Sequence, residues 1–460
     1  MSLDRAIRPV ADPLNVDTPP FPLKRAVVRN GPIGTGQSIS IAATSALLIF
    51  AVLAFGGIDR WAIAILEIGS ALLVLLWIWP QFSSGHLHLN RCPLYPPIAL
   101  FGLLIAVQVV SRSSAYVHVT RFELWKYAAY GCLFLFASQC DRASARRLLT
   151  ILAVFGFIVA LFTLVQYFTY NGRIYWVWPA LPSSVGPYVD HNHYAGLMEM
   201  IAPIPLAMAL MEDARRHGRL LWMIAAILMA ATIFVSGSRG GMIAFVVQMV
   251  FLAGLIVART NRRIVWTLMG TCLVVFALAL WVDSPAVLNR LGTLAEPLTN
   301  DGVIGRLAVA RDVPRMVRDR PIAGWGLGLF PIVYPQYRSF STDLIVNHAH
   351  NDYLQVLVET GILGFACVLW FIVNLYRAGF QNFEAHSTDG VMRALGPLVG
   401  CTGILVHSFS EFNLHMPANA ALFFVLSGIA SGATTYPEPS TQELKWFRKL
   451  NRELPFCRRT

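Results

Sequence analysis

Long apolar stretches separated by short polar turns set the plan of this chain. Twelve of them centre on 41–58, 61–80, 94–111, 124–139, 148–170, 193–211, 219–236, 240–258, 264–282, 353–376, 392–410 and 416–434, the fourth short and loosely bounded. Apolar helices of about 17–25 residues match the hydrocarbon thickness of a bilayer. The predicted fold is an all-α polytopic membrane protein with about 12 transmembrane helices. Residues 1–38 read as a disordered, proline-rich cytoplasmic arm, and 39–282 as transmembrane helices 1–9. A large external loop follows over 283–349, then helices 10–12 over 350–434 and a basic cytoplasmic tail over 435–460.

Composition sharpens this plan. The chain is 56% hydrophobic and 13% charged, against roughly 25% charged in soluble proteins, which leaves no room for a large soluble catalytic domain. The formal charge of +11 could point to nucleic acid, but its distribution does not. With the N-terminus in the cytoplasm, every short cytoplasmic loop holds an arginine: Arg91, then Arg142, Arg146 and Arg147, then Arg215, Arg216 and Arg219. Arg259, Arg262, Arg263, Arg377 and Arg393 continue the pattern, and the tail adds Lys445 to Arg459. The positive-inside rule then places both termini in the cytoplasm, so most of the charge encodes topology rather than a ligand. None of the 7 cysteines falls in an external loop, and no CxxC pattern or disulfide framework is present. The first apolar stretch starts too late for a cleaved secretory signal.

Candidate chemistry gathers on the external side. The stretch from Asn347 to Phe365 carries His348 and His350 just before a long apolar run. Asn351 or Asp352 can cap that run as a helix. The positive end of the helix dipole disfavours imidazolium there and leaves a neutral nitrogen able to take a proton. The plain alternative is an interfacial histidine that satisfies a backbone group. Loop 171–192 is rich in aromatic residues, with Tyr175, Trp176 and Trp178, and suits either interface anchoring or stacking on sugars. The turn Ser236-Gly-Ser-Arg-Gly-Gly241 sets Arg239 at the bilayer edge, where an unpaired cation is costly. Its structural alternatives are a pair with Glu199 or Glu359, or contact with lipid phosphate. In the large loop, 305–320 reads as a helix with Arg311, Arg315 and Arg318 on one face and Arg306 a turn earlier. Pro314 is expected to kink or interrupt it. Guanidinium forks suit phosphate oxygens. Glu67, Glu199 and Glu359 lie in apolar stretches, where pairing with an external arginine is the expected role.

Together, Gly-Pro-Tyr-Val-Asp-His-Asn-His-Tyr-Ala-Gly-Leu (186–197), Ser-Gly-Ser-Arg-Gly-Gly (236–241), Arg306 ahead of Asp319–Phe330, and His-Ala-His-Asn-Asp-Tyr-Leu-Gln continuing to Gly364 resemble the O-antigen ligase and polymerase family of bacterial membrane glycosyltransferases. The resemblance implies a GT-C-like architecture in the bacterial inner (cytoplasmic) membrane and a metal-independent, cofactor-free, inverting transfer at the periplasmic face. The implied donor is a glycan on undecaprenyl diphosphate. The acceptor is the lipid A core for a ligase and a growing O-antigen or exopolysaccharide for a polymerase, and both share the motif. It implies His350, ahead of His348, as the base, and Arg239 and Arg306 on the diphosphate. Arg311 and Arg315 are expected to join those arginines. Asn351, Asp352, Tyr353, His193, Tyr188 and Glu359 are expected to line the substrate. Competing readings are a transporter or flippase of lipid-linked oligosaccharide and a protein O-oligosaccharyltransferase. Against transport, the sequence shows no internal repeat, and its polar cluster sits at one surface rather than the midplane.

Overall fold

The computed structural model describes residues 35–83, 89–211, 216–257, 262–292, 301–341, 345–384 and 388–432. Most of the predicted arm and the whole predicted tail lie outside them, and Thr35–Ser38 already belong to the first helix. The helices are α1 (Thr35–Leu53), α2 (Arg60–Ser83), α3 (Tyr95–Val110), α4 (Val117–Gln139), α5 (Arg142–Phe168), α6 (His191–Ile201), α7 (Pro203–Met211) and α8 (Arg216–Val235). They continue with α9 (Arg239–Val257), α10 (Arg262–Gly292), α11 (Asp301–Asp319), α12 (Phe330–Val333), α13 (Asp352–Glu384), α14 (Thr388–His407) and α15 (Pro417–Ser431). A small antiparallel hairpin, Arg173–Ile174 with Trp178–Pro179, lies in the aromatic loop.

Each of the twelve apolar stretches folds as helix, the sixth broken into α6 and α7 ahead of Pro203. Among the described residues, six helical stretches are long and apolar enough to cross a membrane, and five apolar helices are shorter. The sequence predicted about twelve crossings. The fourth stretch falls short because α4 opens with Arg121, Glu123 and Lys126, the last two paired at 2.7 Å. The ninth runs further than expected, since α10 continues through Pro285 to Gly292. Likewise α11 passes through Pro314 without interruption.

Two features position the site. α14 packs against α6, α7, α9, α13 and α15 and so sits at the centre of the bundle. α13, predicted as one continuous span, breaks at Gly361 (φ 63°, ψ −166°). A break inside a membrane helix frees backbone groups that lipid cannot satisfy. Here the glycine-rich corner supplies the partners. Ile362 N–H donates to Pro321 O at 2.8 Å and Leu363 N–H to Ile322 O at 3.2 Å, while Trp325 and Gly326 N–H donate to Val358 and Glu359 O. Gly324 and Gly361 both need positive φ, and a Cβ on either would run into the opposing backbone. The corner is thereby sutured to the first turns of α13. α11 packs above it through Val309, Val313 and Met316 against Phe330, Tyr334 and Val358.

Candidate functional site

The site forms where the start of α6, the turn into α9, the start of α13 and the turn from α14 to α15 meet. Asn351 caps α13, its Oδ1 accepting from Leu354 N–H at 3.0 Å, and its Nδ2 donates to Phe409 O. His350 just ahead adopts a left-handed backbone (φ 50°). That conformation costs a non-glycine residue of order 1–3 kcal/mol and persists only where the surroundings hold it. What holds it is Glu411, a residue absent from the sequence-based assignment. His350 Nδ1 lies 2.7 Å from Glu411 Oε1. Arg306 Nη2 donates to Glu411 Oε2 at 2.8 Å and Nη1 to Ser410 O at 2.9 Å. Asn192 Nδ2 donates to the same Oε2 at 2.9 Å.

Glu411 is nearly inaccessible, with 2% of its side chain exposed. Burial alone would raise its carboxyl, but the His350 hydrogen bond and the Arg306 charge outweigh it and hold it at about 2. The carboxylate is therefore ionised. It takes the Nδ1 proton of His350 as a hydrogen bond, which leaves Nε2 as the acceptor and stabilises the imidazolium that proton uptake creates. Sequence reasoning derived a neutral, basic imidazole from the helix dipole alone. In the structure a buried carboxylate sets the tautomer.

The network continues inward. Ser238 Oγ donates to Asn192 Oδ1 at 2.7 Å and accepts from Gly241 N–H at 3.1 Å, capping α9. His407 at the end of α14 lies 3.4 Å from Ser238 Oγ through Nε2 and 2.9 Å from Glu199 Oε1 through Nδ1. Arg239 opens α9 beside this network and makes no ion pair or hydrogen bond among the described residues. It pairs with neither Glu199, taken by His407, nor Glu359.

Other predicted residues are placed differently. His348 stacks on Phe412 at 4.0 Å, and its Nδ1 faces Gln355. Burial, with His415 nearby, pushes its imidazole down to about 2, so it stays neutral but enclosed. Phe412 also meets the rings of His350 and His193 edge-on. His193 is buried, and its carbonyl accepts from Asn419. Tyr188 is 1% exposed and donates to Asn419 Oδ1 at 2.8 Å, filling the space beside Gly56. It is a packing residue with no open face for a substrate. Glu359 is fully buried and accepts from Gly328 N–H, Phe330 N–H and Gln355 Nε2, fastening the glycine corner rather than facing a ligand or an arginine. Asp352 pairs with His415 Nδ1 at 2.6 Å and accepts from Ser408 Oγ at 2.7 Å. Tyr353 Oη donates to Leu405 O.

The basic stripe also needs correction. Arg311, Arg315 and Arg318 do share one face of α11, but it is the exposed one. At about 100° per residue, Arg306 points some 120–180° away from them, beside the face that packs inward. Arg315 is held by Asp312 at 2.5 Å and by Tyr337 O. Only Arg306 reaches the network. The aromatic loop, for its part, is pinned by Tyr175 Oη donating to Leu53 O and by ring contacts of Tyr175 and Trp178 with Phe55, which accounts for it as an anchor.

Residues 224–369 match the family described as O-antigen ligase, a span that holds Arg239, Arg306 and His350 but ends short of Glu411. No curated protein matches the chain.

Proposed function

We propose that this chain, whose residues 224–369 belong to the O-antigen ligase family, is a membrane glycosyltransferase in which His350 is the general base and Arg306 and Arg239 meet the leaving diphosphate. The donor is a glycan on undecaprenyl diphosphate, bound at the periplasmic face of the inner membrane. The acceptor is the lipid A core or the end of a growing polysaccharide. One observation carries the reading: a single buried carboxylate, Glu411, binds both the imidazole and the guanidinium. It fixes the base and the cation relative to each other, and positioning of that kind supplies much of the rate in displacement chemistry.

The acceptor hydroxyl gives its proton to His350 Nε2 as its oxygen attacks the anomeric carbon. The glycosidic C–O bond to the diphosphate breaks, and the departing charge is met by guanidinium N–H groups. Arg306 uses two of its nitrogens internally and is 39% exposed; a guanidinium has five donors, so some remain for a ligand. Among the described residues, nothing takes any of the donors of Arg239. In-line attack gives inversion at the sugar.

The test is transfer of an undecaprenyl-diphosphate glycan in reconstituted vesicles. His350→Ala is expected to lower transfer about 10²–10⁴-fold, the usual contribution of a positioned base, in protein that still folds, with a thermal midpoint lowered by the lost hydrogen bond to buried Glu411. Substrate crossing the vesicle with no new glycosidic bond, or normal transfer by the variant, rejects the scheme. A glycolipid profile separates the two acceptors: loss of all core-linked polymer marks a ligase, and core bearing a single repeat marks a polymerase.

A further inference from the structure

The Glu411 network ends inward on a second acid and imidazole, Glu199 of α6 and His407 of α14, 0% and 1% exposed and 2.9 Å apart. Two glycines of α9 make room for them. A Cβ on Gly240 would lie 2.6 Å from His407 Nε2, and one on Gly241 would lie 3.0 Å from Glu199 Oε1. A pair so enclosed meets no substrate, and two apolar side chains of similar volume would serve packing at least as well.

The hydrogen bonds between this pair and Glu411 all run one way. Glu411 Oε2 already accepts from Arg306, so Asn192 must turn Nδ2 toward it and Oδ1 toward Ser238. Ser238 therefore points its one hydrogen at Asn192 Oδ1. Its oxygen is left to accept from Gly241 N–H and from His407 Nε2, 3.4 Å away. The inner pair requires the same direction. Burial favours a pair that is neutral as a unit. Glu199 Oε2 has no hydrogen-bond partner, so the proton of the pair lies between Oε1 and His407 Nδ1. His407 Nε2 then keeps a hydrogen of its own and donates it to Ser238. From either end the chain has one polarity, and no member turns over without setting acceptor against acceptor.

We infer that Glu199, His407 and Ser238 are positioning residues for the base. His407 Nε2–H turns the Ser238 hydroxyl toward Asn192, and the hydroxyl fixes the Asn192 amide with its nitrogen on Glu411. Glu411, so held, aims both His350 and Arg306. Without the His407 hydrogen, Ser238 can turn its own toward the ring, and the Asn192 amide can flip to set oxygen against the carboxylate. His350 then loses the contact that leaves Nε2 as its acceptor. The effect on rate rests on the transferase reading; the effect on the imidazole does not.

Two substitutions divide the His407 ring between its partners. Glutamine sets its amide nitrogen near the place of Nε2, and asparagine near that of Nδ1. His407→Gln keeps a donor toward Ser238 and gives up Glu199, whereas His407→Asn keeps a donor for Glu199 and leaves Ser238 without one. The full-length protein in nanodiscs is treated with diethyl pyrocarbonate at pH 8, and acylation of His350 is followed by mass spectrometry. Glycan transfer is measured on the same preparations. A carboxylate on Nδ1 makes Nε2 the more basic nitrogen, so His407→Asn and Ser238→Ala are expected to slow acylation of His350 several-fold. Both are expected to lower kcat about tenfold with KM within about twofold. His407→Gln is expected to stay within about twofold of wild type by both measures. Thr402→Val, which removes a buried hydroxyl of α14 bonded to Tyr376 at 2.9 Å, controls for lost stability and is expected to change neither. Should His407→Asn fold poorly, Ser238→Ala carries the test by the same two readouts. Wild-type acylation of His350 in Ser238→Ala, or His407→Gln no better than His407→Asn, overturns the inference. Slowed acylation with unchanged kcat overturns the role in transfer. If the wild type transfers no glycan while acylation follows the expected order, the transferase reading falls and the positioning chain stands.

Discussion

Two buried carboxylates lie near α13 and do opposite work. Glu359 is met by two backbone N–H groups and an amide side chain; Glu411 is met by an imidazole, a guanidinium and an amide side chain. Backbone donors cannot move or exchange a proton with a ligand, so Glu359 closes a structure. Two partners of Glu411, the imidazole and the guanidinium, are chemically active and partly exposed, so its satisfaction also arranges a site. Burial and charge alone would have ranked the two together. The identity of the donors separates them.

The comparison predicts opposite phenotypes. Glu411→Gln removes the charge that orients His350 and anchors Arg306, and transfer is expected to fall about 10²-fold, the usual cost of a misplaced catalytic group, measured with the donor in vesicles. Glu359→Gln is expected to leave the transfer rate of folded protein unchanged and to cost about 1–3 kcal/mol by stranding a buried amide, read as a lower thermal midpoint. Equal loss of rate in both variants would erase the distinction.

Along α11 the same logic separates two arginines. Arg306→Ala is expected to reduce transfer about tenfold or more, as when a charge-stabilising donor is lost. Arg315→Ala is expected to keep full transfer and change stability by less than about 1 kcal/mol, since Arg315 is 57% exposed and buried Asp312 keeps Tyr334 Oη and Ser339 N–H as donors.

The last contrast is one of pH. The folded state holds His348 neutral down to about pH 2, whereas the unfolded chain protonates it near 6.5. Its contribution is thus fully present above pH 6.5 and is lost as pH falls toward 2, with a slope approaching about 1.4 kcal/mol per pH unit. His348→Gln is expected to flatten the fall in thermal midpoint between pH 6.5 and 4. Glu411, held at about 2, has its folded value depressed too, so its contribution fades only below about 4.5. The two residues therefore separate along the acid limb.

Much of the helical plan was legible because apolar period and length are local signals. The three polar features also converge at one end of the bundle, as their placement along the chain implied. What escaped was long-range. Glu411 sits in a short turn between the last two apolar stretches, in Ser-Phe-Ser-Glu-Phe-Asn-Leu-His (408–415), and only tertiary contact gives it His350, 61 positions away. A carboxylate in an external turn beside an aromatic residue was the available signal. The arginine stripe was read with the right period, but periodicity does not say which face of a helix turns inward. The break at Gly361 was hidden because the sequence around it stays apolar, and the corner that satisfies it lies some forty residues earlier.

The pairing of segments 348–352 and 408–415 runs crosswise: the first gives an imidazole to Glu411 and a carboxylate to His415. Each segment thus holds half of two locks, and neither half is complete by itself. A chimera that exchanges α14 and α15 for those of another protein must import a matching acid and base at positions 411 and 415, or rewrite 350 and 352 to suit. Recombination across this seam is constrained to move both segments as one cassette.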